Sequence, residues 1–354
     1  MRAWTVIPLV SLVALAVAWG HHPMGLTAVA LEVVLAAAVL AAVHHAEVLG
    51  HRLGEPFGSL LLAVAVTIIE VGLIVTLTVG SEDNDSLARD TVFAAFMIAT
   101  NGVVGASLLA ATLRGRVARF NAEGTGAMLA ALTAVGALSL VLPNFTHSSP
   151  GPTYSQGQLV LAAVGALAIY LLFVFVQTIR HREHFEPVVG AETAGHDGPL
   201  PTDRESRISL VLLVAALVSV VGLAKTISDA LENLVVSAGL PVTFVGVLIG
   251  LLVLAPEGIT AVRSARGGED VQRSFNLAYG SAMASIGLTI PVIAVISIAF
   301  DLNLLLGLRS VDLAMMALTL LVSVLTVTPG RATLLQAGVH LTIFGAWLGL
   351  AMMP

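Results

Sequence analysis

Val66-Thr67-Ile68-Ile69-Glu70-Val71-Gly72 and Val253-Leu254-Ala255-Pro256-Glu257-Gly258-Ile259 are two versions of one arrangement, a single glutamate set deep inside an apolar run. A carboxylate near the centre of a bilayer costs roughly 2.5 to 3.5 kcal/mol on insertion scales, so a chain that carries one in matching places of its two halves has a use for both. Glu70 and Glu257 are therefore the first candidates for an ion and proton site, and for the ligands of a metal ion within it.

The sequence around these runs is apolar nearly throughout. Hydrophobic residues make up 57% of the chain and charged residues 11%, and the mean hydropathy is +0.97. That is too apolar for a chain with a solvated surface, and it implies a polytopic membrane protein. The formal net charge of -6 says little by itself, because in such a chain the position of each charge matters more than the sum. There is no cysteine, which excludes disulfides and thiolate metal sites.

Apolar runs of about 20 residues predict eleven spans. They lie near 4–19, 26–48, 57–79, 91–113, 125–142, 157–179, 208–227, 242–262, 275–300, 311–327 and 332–352. Each is expected to be a helix, because an open sheet would leave backbone groups unpaired in lipid. The fold class is thus all-α with about eleven transmembrane helices. If the N-terminus is inside, the segments on that side hold Arg2, Arg52, Arg114, Arg116, Arg119, Arg180, Arg182, Arg204, Arg207, Arg263, Arg266, Arg273 and Arg331, which is 13 of the 16 basic residues. Only Arg89, Lys225 and Arg309 fall outside. The expectation is a multi-pass protein of the inner (plasma) membrane, with the N-terminus inside and the C-terminus outside.

Residues 1–24 form the first span. Arg2 ahead of an apolar run and the small-x-small Ala16-Val17-Ala18 also suit a cleavable signal, and either reading leaves the other ten spans in the same orientation. Those ten divide into five plus five at the longest polar stretch, residues 180–207, a cytoplasmic linker with Pro187, Gly190, Gly195, Gly198 and Pro201. Five is odd, so residues 25–179 and 208–354 enter the membrane in opposite directions, as two inverted repeats. In transporters built that way, sites lie near the midplane where the repeats meet.

Glu70 and Glu257 both fall in the second helix of their repeat. In the next helix, Ala99-Thr100-Asn101-Gly102 lines up with Ala284-Ser285-Ile286-Gly287. Thr67, Thr100, Asn101 and Ser285 are accordingly the expected additional ligands. A Gly or Pro beside each glutamate loosens the helix and frees carbonyl oxygens. For Thr100 and Ser285 taken alone, close helix packing is the favoured reading, and beside paired buried acids the two readings stand about even.

With these residues in place the chain resembles the bacterial calcium/proton antiporters of the CAX type, within the cation/calcium exchanger superfamily. The resemblance rests on Gly54-Glu55-Pro56-Phe57-Gly58 leading into Thr67-Ile68-Ile69-Glu70, and on Ala255-Pro256-Glu257-Gly258 followed by Arg273-Ser274-Phe275-Asn276-Leu277-Ala278. It spans nearly the whole chain, including one extra helix before two five-helix repeats. It implies that Glu70 and Glu257 take turns carrying the metal ion and protons. The chain departs from the commonest family pattern, Gly-Asn before the glutamate, by having Val66-Thr67 and Val253-Leu254 there, which leaves fewer polar ligands.

The chemistry follows from the residues as well. Calcium prefers six to eight oxygen ligands, and two carboxylates supply at most four, the rest coming from hydroxyls, amide oxygens, freed carbonyls and water. Carboxylates that share a poorly hydrated site hold protons more tightly than in water. An empty site with two negative charges resists crossing an apolar barrier, whereas one divalent cation or two protons bring it near neutrality. Exchange of Ca2+ for H+ follows if only the loaded forms interconvert. Na+, K+ or Mn2+ in place of Ca2+ remain alternatives, as does a cation channel, although no repeated filter sequence is visible. No cofactor, no nucleic-acid partner and no enzymatic activity are expected: an intramembrane hydrolase would require a nucleophile with a base or a metal-binding histidine pair, and a primary pump a nucleotide-binding P-loop, and the sequence offers neither class its set.

Other polar residues have two readings each. Glu32, within the second span, either lines the ion path or pairs with another helix. His44, His45, Glu47 and His51 are read as a solvated helix end rather than a proton relay, and their spacing is not that of a zinc protease. Lys225, Asp229 and Glu232 are read as a local ion pair at the outer end of the seventh span, or else, with Glu82, Asp83, Asp85 and Asp90, as a cation-attracting vestibule.

Overall fold

The computed structural model describes residues 2–54, 57–80, 85–113, 115–186, 200–266 and 270–353. Glu55 and Pro56 of the first motif, Glu82 and Asp83 of the acidic turn, Arg114, and residues 187–199 of the central linker lie outside the described residues.

The described chain is almost entirely helical. The helices are α1 (Arg2–Ala18), α2 (Leu26–Leu53), α3 (Phe57–Gly80), α4 (Leu87–Met97), α5 (Val104–Thr112), α6 (Ala122–Gly136), α7 (Gln156–Phe175), α8 (Asp203–Ser237), α9 (Phe244–Ser264), α10 (Val271–Phe300), α11 (Ser310–Val327) and α12 (Leu334–Met352). A π-helical turn, Ile98–Val103, joins α4 to α5 into one membrane-length rod. Further π turns close α6 and α7. Ten of the resulting rods are long and apolar enough to cross a membrane, and α1 is a shorter apolar helix. Every predicted span coincides with a helix, for the reason that allowed the prediction: only intra-segment hydrogen bonding satisfies a backbone in lipid.

The chain divides into two compact units, each drawing helices from both sequence halves. Unit 1 comprises Met1–Leu87 and His196–Val253, and unit 2 comprises Ala88–Gly195 and Leu254–Pro354. Unit 1 holds α1, α2, α3, α8 and the first turns of α9. Its core is a continuous apolar cluster of Ala38, Val39, Ala42, Val66, Ile69, Leu73, Leu213, Val220, Leu223 and their neighbours. α8 runs along α2, α1 and α3. Where α3 meets it, a Cβ at Gly72 would lie 2.5 Å from Val221 Cγ2, so only glycine lets these helices come so close.

Unit 2 holds α4 to α7, the rest of α9, and α10 to α12. α10 is central, packing on α7, α6 and the α4–α5 rod, while α12 packs on α5. A two-residue ladder pairs β1 (Ala118–Arg119) antiparallel with β2 (Arg331–Ala332). The ladder puts the turn after α5 and the turn before α12 on one side of the unit. The other side of the unit is tied too: Gly307 N–H donates to the Pro152 carbonyl at 2.9 Å, and Arg89 Nη1 donates to the Gly307 carbonyl at 3.3 Å. In unit 1, Arg52 forms an ion pair with Asp203, placing the end of α2 beside the start of α8.

Two readings of polar clusters are corrected by the packing. His45 is not solvated but buried: its Nε2 lies 3.1 Å from the Trp4 carbonyl and its Nδ1 3.3 Å from Ser209 Oγ, so it links α2 to α1 and α8. His44 stacks on Trp4 at 4.8 Å. Lys225 and Asp229 do not pair with each other, because α8 continues to Ser237 and carries them against the α1–α2 turn. There Lys225 Nζ sits 5.8 Å from the Trp19 ring centre and Asp229 lies 3.4 Å from His22 Nδ1.

Candidate functional site

Unit 1 contains Glu70, Thr67 and Glu32. Glu70 stands in the middle of α3 and is only 1% exposed, in a turn whose neighbours Val66, Ile69 and Leu73 belong to the apolar core. Thr67, one turn earlier, is buried, and its hydroxyl donates to the Ala63 carbonyl at 2.8 Å. That bond uses the proton and leaves the oxygen lone pairs, the part of a hydroxyl that binds a cation. Glu32 is half-buried on α2.

Unit 2 contains Glu257, Thr100, Asn101 and Ser285. Glu257 follows Pro256 inside α9. Proline has no N–H, so the Leu252 carbonyl loses its helical donor at this point. The next turn is re-tied by Thr260, whose hydroxyl donates to the Pro256 carbonyl at 2.9 Å. Glu257 is half-buried, and the Ser281 hydroxyl on α10 donates to its Oε2. Ser285, one turn further along α10, is 3% exposed. Asp270 caps α10, accepting the Arg273 N–H at 2.9 Å. Burial pushes the Asp270 carboxyl above the ordinary carboxylate range, against the opposing pull of that N–H and of the Arg273 charge.

Thr100 and Asn101 sit in the π turn, where the Val104 N–H reaches back five residues to the Ala99 carbonyl. Such a turn widens the helix and changes which side chains share a face, and it recurs at functional sites. Both residues are fully buried. The Thr100 hydroxyl donates to the Phe96 carbonyl at 2.6 Å. Asn101 Nδ2 donates to Thr319 Oγ1 at 2.9 Å, and Asn101 Oδ1 lies 3.0 Å from His340 Nδ1. Since an amide oxygen only accepts, Nδ1 carries the proton, and His340 Nε2 then accepts from Thr326 Oγ1 at 3.2 Å. The turn after Glu257 lies against this segment, Gly258 facing Val103.

Ser281, Thr319, Thr326 and His340 are the polar residues that sequence reasoning missed. Ser281 had a signal, because it precedes Ser285 by four residues and so shares its helix face. His340, alone in an apolar helix, had none.

The sodium/calcium exchanger family pattern matches this chain twice, over residues 23–179 and 208–353. The chain belongs to the sodium/calcium exchanger family. Members of this family are transporters, and the chain is accordingly a multi-pass cation exchanger. It is 45% identical over 321 residues to y4hA of Sinorhizobium fredii, an ionic transporter by name, covering 90% of this chain and 87% of that one. It is 33% identical over 350 residues to the sodium-potassium/proton antiporter ChaA of Escherichia coli, covering 97% and 94%. The solved structure of the H+/Ca2+ exchanger CAX has the same fold, with a TM-score of 0.71 at 19% identity over 98% of this chain and 87% of that one.

Proposed function

We propose that this chain exchanges Ca2+ for H+ through Glu70 and Glu257, which carry either the cation or protons in turn. The observation that carries the reading is the recurrence of one buried or half-buried glutamate in the second helix of each family-matched half. Two carboxylates and one Ca2+ are neutral, as are two carboxylates and two protons, so one Ca2+ for two H+ keeps both loaded states free of net charge. Thr67, Thr100, Asn101 and Ser285 are the proposed supplementary oxygen ligands, and Glu32 a residue of the path. In the proposed orientation the N-terminus and the linker at 180–207 face the cytoplasm and the C-terminus lies outside. Cysteines introduced singly at Asp85 and at Leu200 test this: an impermeant reagent applied to intact cells should label only the first.

A second reading, Na+ or K+ in place of Ca2+, is favoured by the 33% identity to ChaA over nearly the whole chain. Leu254, apolar where the commonest family pattern has Asn, reduces the oxygen donors available and favours it as well. A monovalent ion leaves one negative charge uncompensated, so one proton must travel with it. Proton movement in inverted vesicles, recorded as each cation is added in turn, separates the two. Dissipation of a preformed pH gradient by Ca2+ supports the first reading, and dissipation by Na+ or K+ alone replaces it with the second.

A further inference from the structure

Just beyond the last turn of α7, two histidines and a glutamate converge outside the membrane-spanning segments. His181 Nδ1 lies 3.6 Å and His184 Nε2 lies 3.8 Å from the same atom, Glu183 Oε1. The three donor atoms all fall within 4.8 Å of one another. The two imidazoles are stacked, with centres 5.2 Å apart. A fourth group, Glu123 at the start of α6, brings Oε2 to 3.4 Å from His184 Nε2. A tetrahedral ion bound at 2.0 to 2.2 Å holds its ligand atoms about 3.3 to 3.6 Å apart; the His–Glu pairs, at 3.4 to 3.8 Å, already stand near that spacing, and the two imidazole donors, within 4.8 Å of each other, close by at most about 1.5 Å through rotation of their side chains.

The platform beneath them is fixed. Phe185 is buried edge-on against Phe173, and its carbonyl accepts from Asn276 Nδ2 at 2.6 Å. Asn276 accepts in turn from Gln272, whose side-chain oxygen takes the Asn121 N–H at 2.7 Å. The His184 carbonyl presses on Gly124, where an added Cβ would lie 2.0 Å from its oxygen. The donors thus stand on a turn clamped between α6 and α10, rather than on a free tail.

We propose that His181, Glu183 and His184, with Glu123 as the fourth ligand, bind a divalent transition-metal ion of the Zn2+ class. Mixed imidazole and carboxylate donors select such ions, whereas Ca2+ takes oxygen ligands. This site shares no residue with Glu70 or Glu257. Through Asn276 it is joined to α10, the helix whose Ser281 donates to Glu257.

The test is Zn2+ binding to the purified full-length chain, read by competition with a chromophoric chelator, with wild type, His181→Ala/His184→Ala, Glu183→Gln and Glu257→Gln compared. One Zn2+ per chain is expected. Affinity should fall at least 30-fold in the double histidine variant and less in Glu183→Gln, stay unchanged in Glu257→Gln, and resist displacement by equal Ca2+. Wild-type affinity in the double histidine variant overturns the proposal. So does loss of binding in Glu257→Gln, which assigns the ion to the exchange site instead.

Discussion

Glu70 stands in a helix without proline, 1% exposed and flanked by core residues of unit 1, whereas Glu257 directly follows Pro256, is half-buried, and has the Ser281 hydroxyl on its carboxylate. The repeat pattern puts the two acids in equivalent positions, yet their surroundings are not equivalent. Around Glu70 the helix runs uninterrupted through the unit 1 core, with Val221 close against Gly72. Around Glu257 the backbone is interrupted by Pro256 and the Ser281 hydroxyl reaches the carboxylate. The difference teaches that one sequence signal, a glutamate in an apolar run, is compatible with two backbone settings and two degrees of burial.

Three substitutions sharpen this contrast. Ser281→Ala removes a hydrogen bond to a charged group, which is worth about 1.5 to 3 kcal/mol. Apparent cation affinity in vesicle exchange assays should therefore weaken roughly 10- to 150-fold, and an unchanged affinity would remove Ser281 from the comparison. Gly72→Ala acts through packing. Its Cβ collides with Val221, and overpacking of this kind costs about 1 to 3 kcal/mol, so thermal unfolding in detergent should come at lower temperature while cation selectivity is kept. Thr67→Ala should change affinity least, because it removes one neutral oxygen whose place water can take while both carboxylates remain. A larger loss there than at Ser281 would invert the comparison.

Much of the architecture was legible because lipid leaves the backbone few choices. The eleven apolar runs became helices with boundaries close to those expected, and α8 differed most, continuing as a helix to Ser237 through Lys225, Asp229 and Glu232. Amphipathic helix outside the apolar core carries no run of hydrophobic residues to mark its end. The π turn at Ile98–Val103 was illegible, since a shift from four- to five-residue hydrogen bonding changes no residue type. The polar network of His340, Asn101, Thr319 and Thr326 was hidden for a related reason: its members are scattered one per turn over three rods, and only packing brings them together. The alignment of repeats selected Ser285 and passed over Ser281, whose hydroxyl donates to Glu257, because matching positions across repeats aligns helices without resolving which turns face a neighbour.

The central claim is that Glu70 and Glu257 carry the exchanged charge, and proton release on cation binding tests it most directly. Purified protein in weakly buffered detergent solution, with a pH-sensitive dye, should release protons when Ca2+ is added. Release should fall in Glu70→Gln and in Glu257→Gln and vanish in the double variant, with vesicle exchange lost in all three at matched protein levels. Each variant should still insert, because a neutral amide is easier to place in the bilayer than a carboxylate. Wild-type proton release from the double variant would contradict the account and move the site elsewhere, with Glu32 the next residue to test.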